Sequence, residues 1–276
     1  MKNQYFKIIM CCLIIIASTA CKKEKLSTKC YISSIKTNTD SIAFTYNQNN
    51  KVSNIKSYFS SYLINMDFVD EGIYHKQIVN TGTASLPNYT INYRLNAKGF
   101  VESYEHTAYS SPYTYLNSAS NVYDNEGHLI WSKMTTLRDG LPYVIWRDSM
   151  IYSNGNLTEY YNFYGNTLHR KAIISYSTIE NTIGFYANND FSITSIVGFS
   201  RYYEDERPYI CHLLGNGSKN LASSAVVTFP SSPSLNRTYS YFYTFDSQQR
   251  ISSETMAASP TALGFPKKSS FYYSCR

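Results

Sequence analysis

The stretch "YDNEGHL", Tyr123 to Leu129, decides the fold. It places an aromatic and an aliphatic residue six apart, with Asp124, Asn125, Glu126 and Gly127 between them and His128. The spacing recurs. "YNQNNKV" gives Tyr46 and Val52, "LNAKGFV" gives Leu95 and Val101, and "FDSQQRI" gives Phe245 and Ile251. "YSNGNL" gives Tyr152 and Leu157, one residue shorter. In four copies a further apolar residue stands two places upstream: Phe44, Tyr93, Tyr243 and Met150. In the opening copy that place is Asn121.

Each copy reads as strand, polar turn, strand. Asp or Asn at the turn entry accepts backbone hydrogen bonds from the residues that follow. Gly127, Gly99 and Gly155 can take the positive φ that short hairpin loops require. The apolar residues before and after the turn then face one side. The aliphatic anchors Val101, Leu129 and Leu157 are 28 residues apart, an interval that fits the signature turn and a less regular return. A further step reaches Phe185, in "YSTIENTIGFY", as a worn copy. Before Val101 the previous anchor is 49 residues back, which places an insertion within Phe68 to Asn88.

Composition agrees. The chain holds 28 Tyr and 14 Phe but 2 Trp, with 16% charged residues. Tyr, Phe, Thr, Val and Ile favour pleated, half-buried surfaces, while Asn, Ser, Asp and Gly favour turns. Alternation with period two is frequent, as in "YSYFYTF" (Tyr239 to Phe245) and "SITSIVGFS" (Ser192 to Ser200), and no long stretch has a helical period. The expected fold is all-β: an antiparallel β-meander of repeated hairpins, rolled into an open or closed barrel-like sheet, because a meander of many strands tends to curl.

The N-terminus reads as a targeting segment. Lys2 and Lys7 precede the apolar run "IIMCCLIIIA", Ile8 to Ala17. Ten residues are too few for a bilayer, which needs about 20. A basic start, a short apolar run and small residues describe a secretory signal. "STAC", Ser18 to Cys21, resembles the lipobox of bacterial lipoproteins, although Ser18 stands where an aliphatic is usual. The resemblance implies that Cys21 is acylated and begins the mature chain, with a membrane reached through that lipid anchor; an uncleaved signal anchor is the rival. The expected organisation is residues 1–20 as signal, 21–29 as lipidated N-terminus and charged tether ("KKEK", Lys22 to Lys25), and 30–276 as a single β-meander domain. Lys22 after Cys21 does not resemble an inner-membrane retention signal, so an outer-membrane lipoprotein is expected, its facing left open.

"VYDNEGHLIW", "TYNQNNKVSNI" and "TFDSQQRISSE" resemble the Tyr-Asp repeats of the Rhs family. They are still more similar to a group of Bacteroidetes lipoproteins, domains of unknown function with a porin-like rolled sheet. "LGNGSKNL", Leu214 to Leu221, also looks like a loop of that group. The resemblance covers five hairpins, about a quarter of the chain. It implies architecture and envelope location and carries no catalytic residue. A sheet that itself crosses the outer membrane is disfavoured by strands rich in Ser and Asn on the alternate face and by the ending "FYYSCR".

Removing residues 1–20 takes Lys2 and Lys7 and no acid, lowering the formal charge from +6 to +4. With no long basic stripe, nucleic acid is not an expected partner. His75, His106, His128, His169 and His212 show no zinc-like spacing, and there is no Cys-x-x-Cys, no Gly-x-Ser-x-Gly and no phosphate loop. "DFVDEG", Asp67 to Gly72, is faintly like a calcium loop but reads as a polar loop; "EDER", Glu204 to Arg207, is the other acid cluster. No cofactor, metal or catalytic residue is expected. Cys30 opens the first strand and Cys275 ends the last, so a rolled sheet could bring them into a disulfide; three buried thiols, including Cys211, are the alternative.

Two function classes follow. The first is a non-catalytic binding module of the envelope, for a glycan or other ligand, with Trp131 and Trp146 as stacking faces. The alternative for these tryptophans is that they fill the core. The second is a structural or assembly protein whose rolled sheet docks an envelope partner.

Overall fold

The computed structural model describes residues 30–37, 41–59, 62–71, 74–80, 89–110, 112–181, 214–261 and 265–275. Cys21, the tether, Phe185, Ser192 to Ser200, Glu204 to Arg207, Cys211 and His212 lie outside them. Among the described residues there are sixteen strands: β1 (Cys30–Lys36), β2 (Ser41–Tyr46), β3 (Val52–Phe59), β4 (Tyr62–Glu71), β5 (Tyr74–Asn80), β6 (Tyr89–Leu95), β7 (Val101–Ser110), β8 (Tyr113–Tyr123), β9 (Leu129–Arg138), β10 (Leu141–Ser153), β11 (Asn156–Tyr164), β12 (Thr167–Glu180), β13 (Asn220–Thr228), β14 (Arg237–Phe245), β15 (Ile251–Ser259) and β16 (Lys267–Cys275). By internal contacts the chain divides into the sheet, Tyr31–Ser274, and a terminal unit, Met1–Cys30 with Cys275–Arg276.

Every strand pairs antiparallel with its chain neighbour, and β16 returns beside β1. The central ladders are long; β8 and β9 pair from Tyr115↔Arg138 to Tyr123↔Leu129. Those near the seam are short: β15 and β16 pair from Ser253↔Ser270 to Met256↔Lys267, and β1 and β2 from Ser34↔Ala43 to Lys36↔Ser41. The sheet is thus a single rolled antiparallel meander. In the terminal unit, a disulfide joins Cys30 to Cys275 across a sequence separation of 245.

The signature stretches form the turns expected of them. Asn47 Oδ1 accepts the N–H groups of Asn49 and Lys51 at 2.9 and 3.0 Å, and Asn96 Oδ1 those of Lys98 and Phe100 at the same distances. Asp124 and Asp246 do the same for His128 (2.8 Å) and for Gln248 and Arg250 (2.8 and 3.0 Å). The fourth turn residue takes positive φ in each copy: Asn50, Gly99, Gly127 and Gln249. The shorter copy is shorter because Asn154 and Gly155 make a two-residue turn, both at positive φ.

The anchors lie directly opposite each other: Tyr46↔Val52, Leu95↔Val101, Tyr123↔Leu129, Tyr152↔Leu157 and Phe245↔Ile251, each beside a register shift. The aliphatic partner is buried in every pair. A register shift falls at the same place in each hairpin, skipping the residue after the anchor, and in three hairpins the anchor's carbonyl accepts a side-chain hydrogen bond. A tyrosine from the neighbouring strand meets that carbonyl: Tyr123 OH donates to Val101 O at 2.7 Å, Tyr176 OH to Leu157 O at 2.8 Å and Tyr273 OH to Ile251 O at 2.9 Å. Tyr46 OH donates to Ile32 O in the same manner at 2.8 Å. Burial pushes the Tyr273 phenol up to about 12 and raises Tyr46 and Tyr123 further, so these donors keep their protons.

One expectation is refined and one is corrected. The 49-residue interval before Val101 holds four strands, β3 to β6, two more than each 28-residue interval, so the insertion is an added pair of strand segments, with β4 and β5 pairing from Asn65↔Asn80 to Glu71↔Tyr74. Asp67 to Glu71 of "DFVDEG" belong to strand β4 instead of a loop, and the Asp67 carboxylate accepts the amides of Asn54 and Asn65 at 2.7 and 3.2 Å. Met66 and Phe68 alternate inward with Asp67 and Val69 between and after them, so this stretch keeps the period of a strand.

Two outcomes test this account. Reduction of the Cys30–Cys275 bond frees a loop of 245 residues; chain entropy alone makes that worth about 5 kcal/mol, so dithiothreitol should lower the calorimetric midpoint clearly. An unchanged midpoint would show that the bond contributes nothing. The second concerns acid. Burial opposes ionisation of Asp124, but hydrogen bonds from the His128 ring and backbone outweigh it and hold the carboxyl below its ordinary value. At Asp246 the Arg250 backbone N–H, helped by the guanidinium, does likewise. Lowered carboxyls contribute stability that is present above the unfolded value, about pH 4, and lost as pH falls through the folded values. Urea midpoints of the Asp124→Asn, Asp246→Asn double variant should therefore fall less steeply below about pH 4 than those of the parent.

Candidate ligand-binding groove on the outer face

The two faces of the sheet differ in kind. On β10, Val144, Trp146, Asp148 and Met150 are buried while the residues between them are more exposed. The inner positions form three apolar clusters: one around Ile55, Met66, Ile91, Tyr93 and Met134, one around Leu157, Tyr160, Ile174, Val227 and Met256, and a third of Ile32, Ile35, Leu221 and Ile251. The outer face carries Lys133, Arg147, Glu159 and Lys171 among its aromatics. A membrane-spanning barrel has the reverse arrangement, apolar outside and polar within.

This division separates the two tryptophans. Trp146 is 8% exposed, belongs to the first core cluster and packs against Tyr164 and His169, with ring centroids 4.9 and 5.4 Å away. Its expected role as a stacking face is corrected: the strand's alternation points it inward. Trp131 is half-buried on the outer face of β9, opposite Ser149. With Arg147, Asp148, Ser149, Phe163 and Asn166 it lines an open groove of about 120 Å³.

The groove is built by cross-strand register. Trp131 pairs with Ser149, and Ser149 with Tyr161; one row away Lys133 pairs with Arg147, and Arg147 with Phe163. Arg147 is held in place by its side chain. Its Nε and Nη2 donate to Gly165 O at 3.2 and 2.6 Å, and Nη2 also to Asn166 Oδ1 at 2.7 Å. Its guanidinium lies 5.8 Å from the Phe163 ring centre. At the groove's edge Lys171 pairs with Glu159 at 3.4 Å, and Glu159 also accepts the Tyr161 hydroxyl. That hydroxyl first, and then Lys171, hold the Glu159 carboxyl below its ordinary value. The site offers an aromatic plate, a fixed guanidinium, hydroxyls and an amide, which is equipment for recognising a polar ring compound.

Sequence reasoning missed an inner row of polar residues. Asn121, Ser132, Asp148, Asn162 and Arg170 follow one another across β8 to β12, and all are buried. Asp148 accepts the Tyr160 hydroxyl at 2.6 Å and the Asn162 amide at 2.7 Å. The available signal was Asp148 at an inward position between Trp146 and Met150. His106 is also buried on the inner face, and burial lowers its pKa. Among the described residues no three His, Cys, Asp or Glu side chains gather as they would to hold a metal ion.

"LGNGSKNL" is a strap across the signature turns. Asn216 donates from its backbone to Gly127 O at 2.8 Å and from its side chain to Glu126 O at 2.6 Å, and Lys219 N donates to Gly155 O at 2.8 Å. Gly215 sits so close that an added Cβ would lie 2.3 Å from Gly127 O. The strap leads into β13 at Asn220, whose N–H donates to Asn156 Oδ1 at 2.8 Å.

The comparisons with known proteins bear on the fold. No family model matches the chain, and no curated protein matches it significantly. A porin-like protein from Bacteroides uniformis superposes with a TM-score of 0.62 at 15% identity, covering 89% of this chain and 98% of that one. A second porin-like protein, from Bacteroides vulgatus, gives 0.59 at 10% identity over 89% and 99%. At such identities the likeness is one of fold: an all-β meander sheet shared with porin-like Bacteroides proteins. The likeness to Rhs repeats gains no support from the comparisons.

The different settings of the two tryptophans should show in stability. Trp146→Ala removes a core side chain and should cost about 3–5 kcal/mol in urea unfolding. Trp131→Ala, on the outer face, should cost less than about 1 kcal/mol. Equal losses would contradict the assignment of faces.

Proposed function

We propose that the protein is a non-catalytic lipoprotein of the cell envelope whose outer groove at Trp131 binds a saccharide. The observation that carries this is the groove itself: an indole plate flanked by a guanidinium locked to Gly165 and Asn166, with Ser149 directly opposite. Sugar rings present one apolar face and a rim of hydroxyls, and such a ligand uses both halves of this equipment. Envelope location is supported by the basic and apolar start, by "STAC" with Cys21 as the acylated residue, and by a fold like that of porin-like Bacteroides proteins. Several acyl chains, at about 0.8 kcal/mol per buried methylene, would hold the chain on a membrane. The apolar inner face supports a sheet that sits beside the membrane instead of crossing it.

Docking to an envelope protein is the second reading. It is favoured by Ile173 and Val226, which lie opposite each other on the outer face, 41% and 44% exposed, with Ile151 two strands from Ile173.

A glycan array probed with the leaderless domain should show saccharide binding that Trp131→Ala removes while the fold persists. Binding unaffected by Trp131→Ala would overturn the site. Loss of glycan binding altogether, with co-purification of one envelope protein that an Ile173→Lys variant abolishes, would favour docking. For location, labelled palmitate should enter the full-length chain and be absent from Cys21→Ser, which should move to the soluble fraction.

A further inference from the structure

Lys133 and Arg147 face each other directly on adjacent antiparallel strands; Arg147 lines the groove with Trp131, and Lys133 adjoins it, two residues from Trp131 on the same face of β9. Like charges directly opposite in a sheet destabilise it. Neither cation has a carboxylate partner among the described residues, whereas Lys171, at the other side of the groove, is matched by Glu159. Arg147 spends Nε and Nη2 on Gly165 and Asn166, leaving Nη1 without a protein acceptor among the described residues. Next along the row the pair is bounded by Ser120 on β8 and Phe163 on β11, neither of which brings a negative charge.

We infer that this cation pair is the anion-recognition half of the groove, and that the saccharide bound at Trp131 is acidic, bearing carboxylate or sulfate groups. The inference rests on the reading of the groove as a saccharide site. An anionic group set between Lys133 and Arg147 turns their mutual repulsion into two charge-assisted contacts. The neighbouring Trp131, one row away, is placed for the sugar ring that carries the group. Fixing the Arg147 fork before binding lowers the ordering cost of that contact.

The test is calorimetric titration of the leaderless domain with polygalacturonate, with sulfated dextran, with neutral dextran and with a single-stranded oligonucleotide. The expected result is binding of one or both acidic polysaccharides, weakened about tenfold by Lys133→Ser and further by added salt, and lost in Trp131→Ala. Lys133 is exposed, so the Lys133→Ser domain should fold, with a thermal midpoint unchanged or raised. Neutral dextran bound as tightly as the acidic polymers, with Lys133→Ser changing nothing, would overturn the acidic assignment and leave the saccharide reading standing. Binding of none of these polysaccharides would overturn both. An oligonucleotide bound at least as tightly as the acidic polymers would show that the pair serves phosphate chains, and would also overturn the inference.

Discussion

The fold depends on one hydrogen-bonding device, a side-chain oxygen at the turn entry that accepts the N–H groups two and four residues on. Asn47, Asn96, Asp124 and Asp246 each supply it, fully or in part. It closes the turn and fixes which residues of the two strands stand opposite. In a pleated sheet a slip of one residue exchanges the faces, so the turn also decides which side chains are buried. The bulge beside each anchor is part of the device, and in three hairpins a half-buried tyrosine completes it by meeting the anchor carbonyl on the preceding strand. Removing an anchor would leave a void in the core, and removing a tyrosine would leave a buried carbonyl unmatched.

Once register is set, the inner and outer faces become separate chemical environments. The inner face holds most of the apolar surface and one row of buried polar groups, in which Asp148 accepts from Tyr160 and Asn162. The outer face is left for mixed charge and aromatic groups. There the sheet's regular spacing serves as a scaffold: neighbours within a row across β9, β10 and β11 stand about 5 Å apart, close enough for Trp131, Arg147 and Phe163 to line one groove. The strands carry these side chains, and the turn between β11 and β12 fixes Arg147 through Gly165 and Asn166.

The strap Leu214–Leu221 shows how the turns are coupled. It contacts the turn between β8 and β9 and the turn between β10 and β11 through backbone carbonyls, so it depends little on the side chains of the turns themselves. Gly215 is required there because any side chain would collide with Gly127 O and the Tyr123 ring. The groove is carried by β9 to β11, the strands whose turns this strap ties.

The local pattern by itself determined the hairpins. Turn chemistry and matched anchors are encoded within about seven residues, and an antiparallel meander follows when each hairpin repeats. "YDNEGHL" therefore reads correctly in isolation, as does the two-residue Asn154-Gly155 turn. Four matters required tertiary structure. The insertion before Val101 carries no signature, so only the structure shows that it is the added strands β4 and β5. Trp131 and Trp146 both sit in strand-forming stretches, and only strand register sends one outward and the other into the core. The polar row from Asn121 to Arg170 draws one residue from each of five strands, and the Lys133–Arg147 pair draws on two, so no window of sequence contains either. The meeting of Cys30 and Cys275 likewise joins residues 245 apart in sequence, which no local pattern specifies. Local hydrogen bonding is written in short stretches; what shares a face or a row is decided by the pairing of strands far apart in the chain.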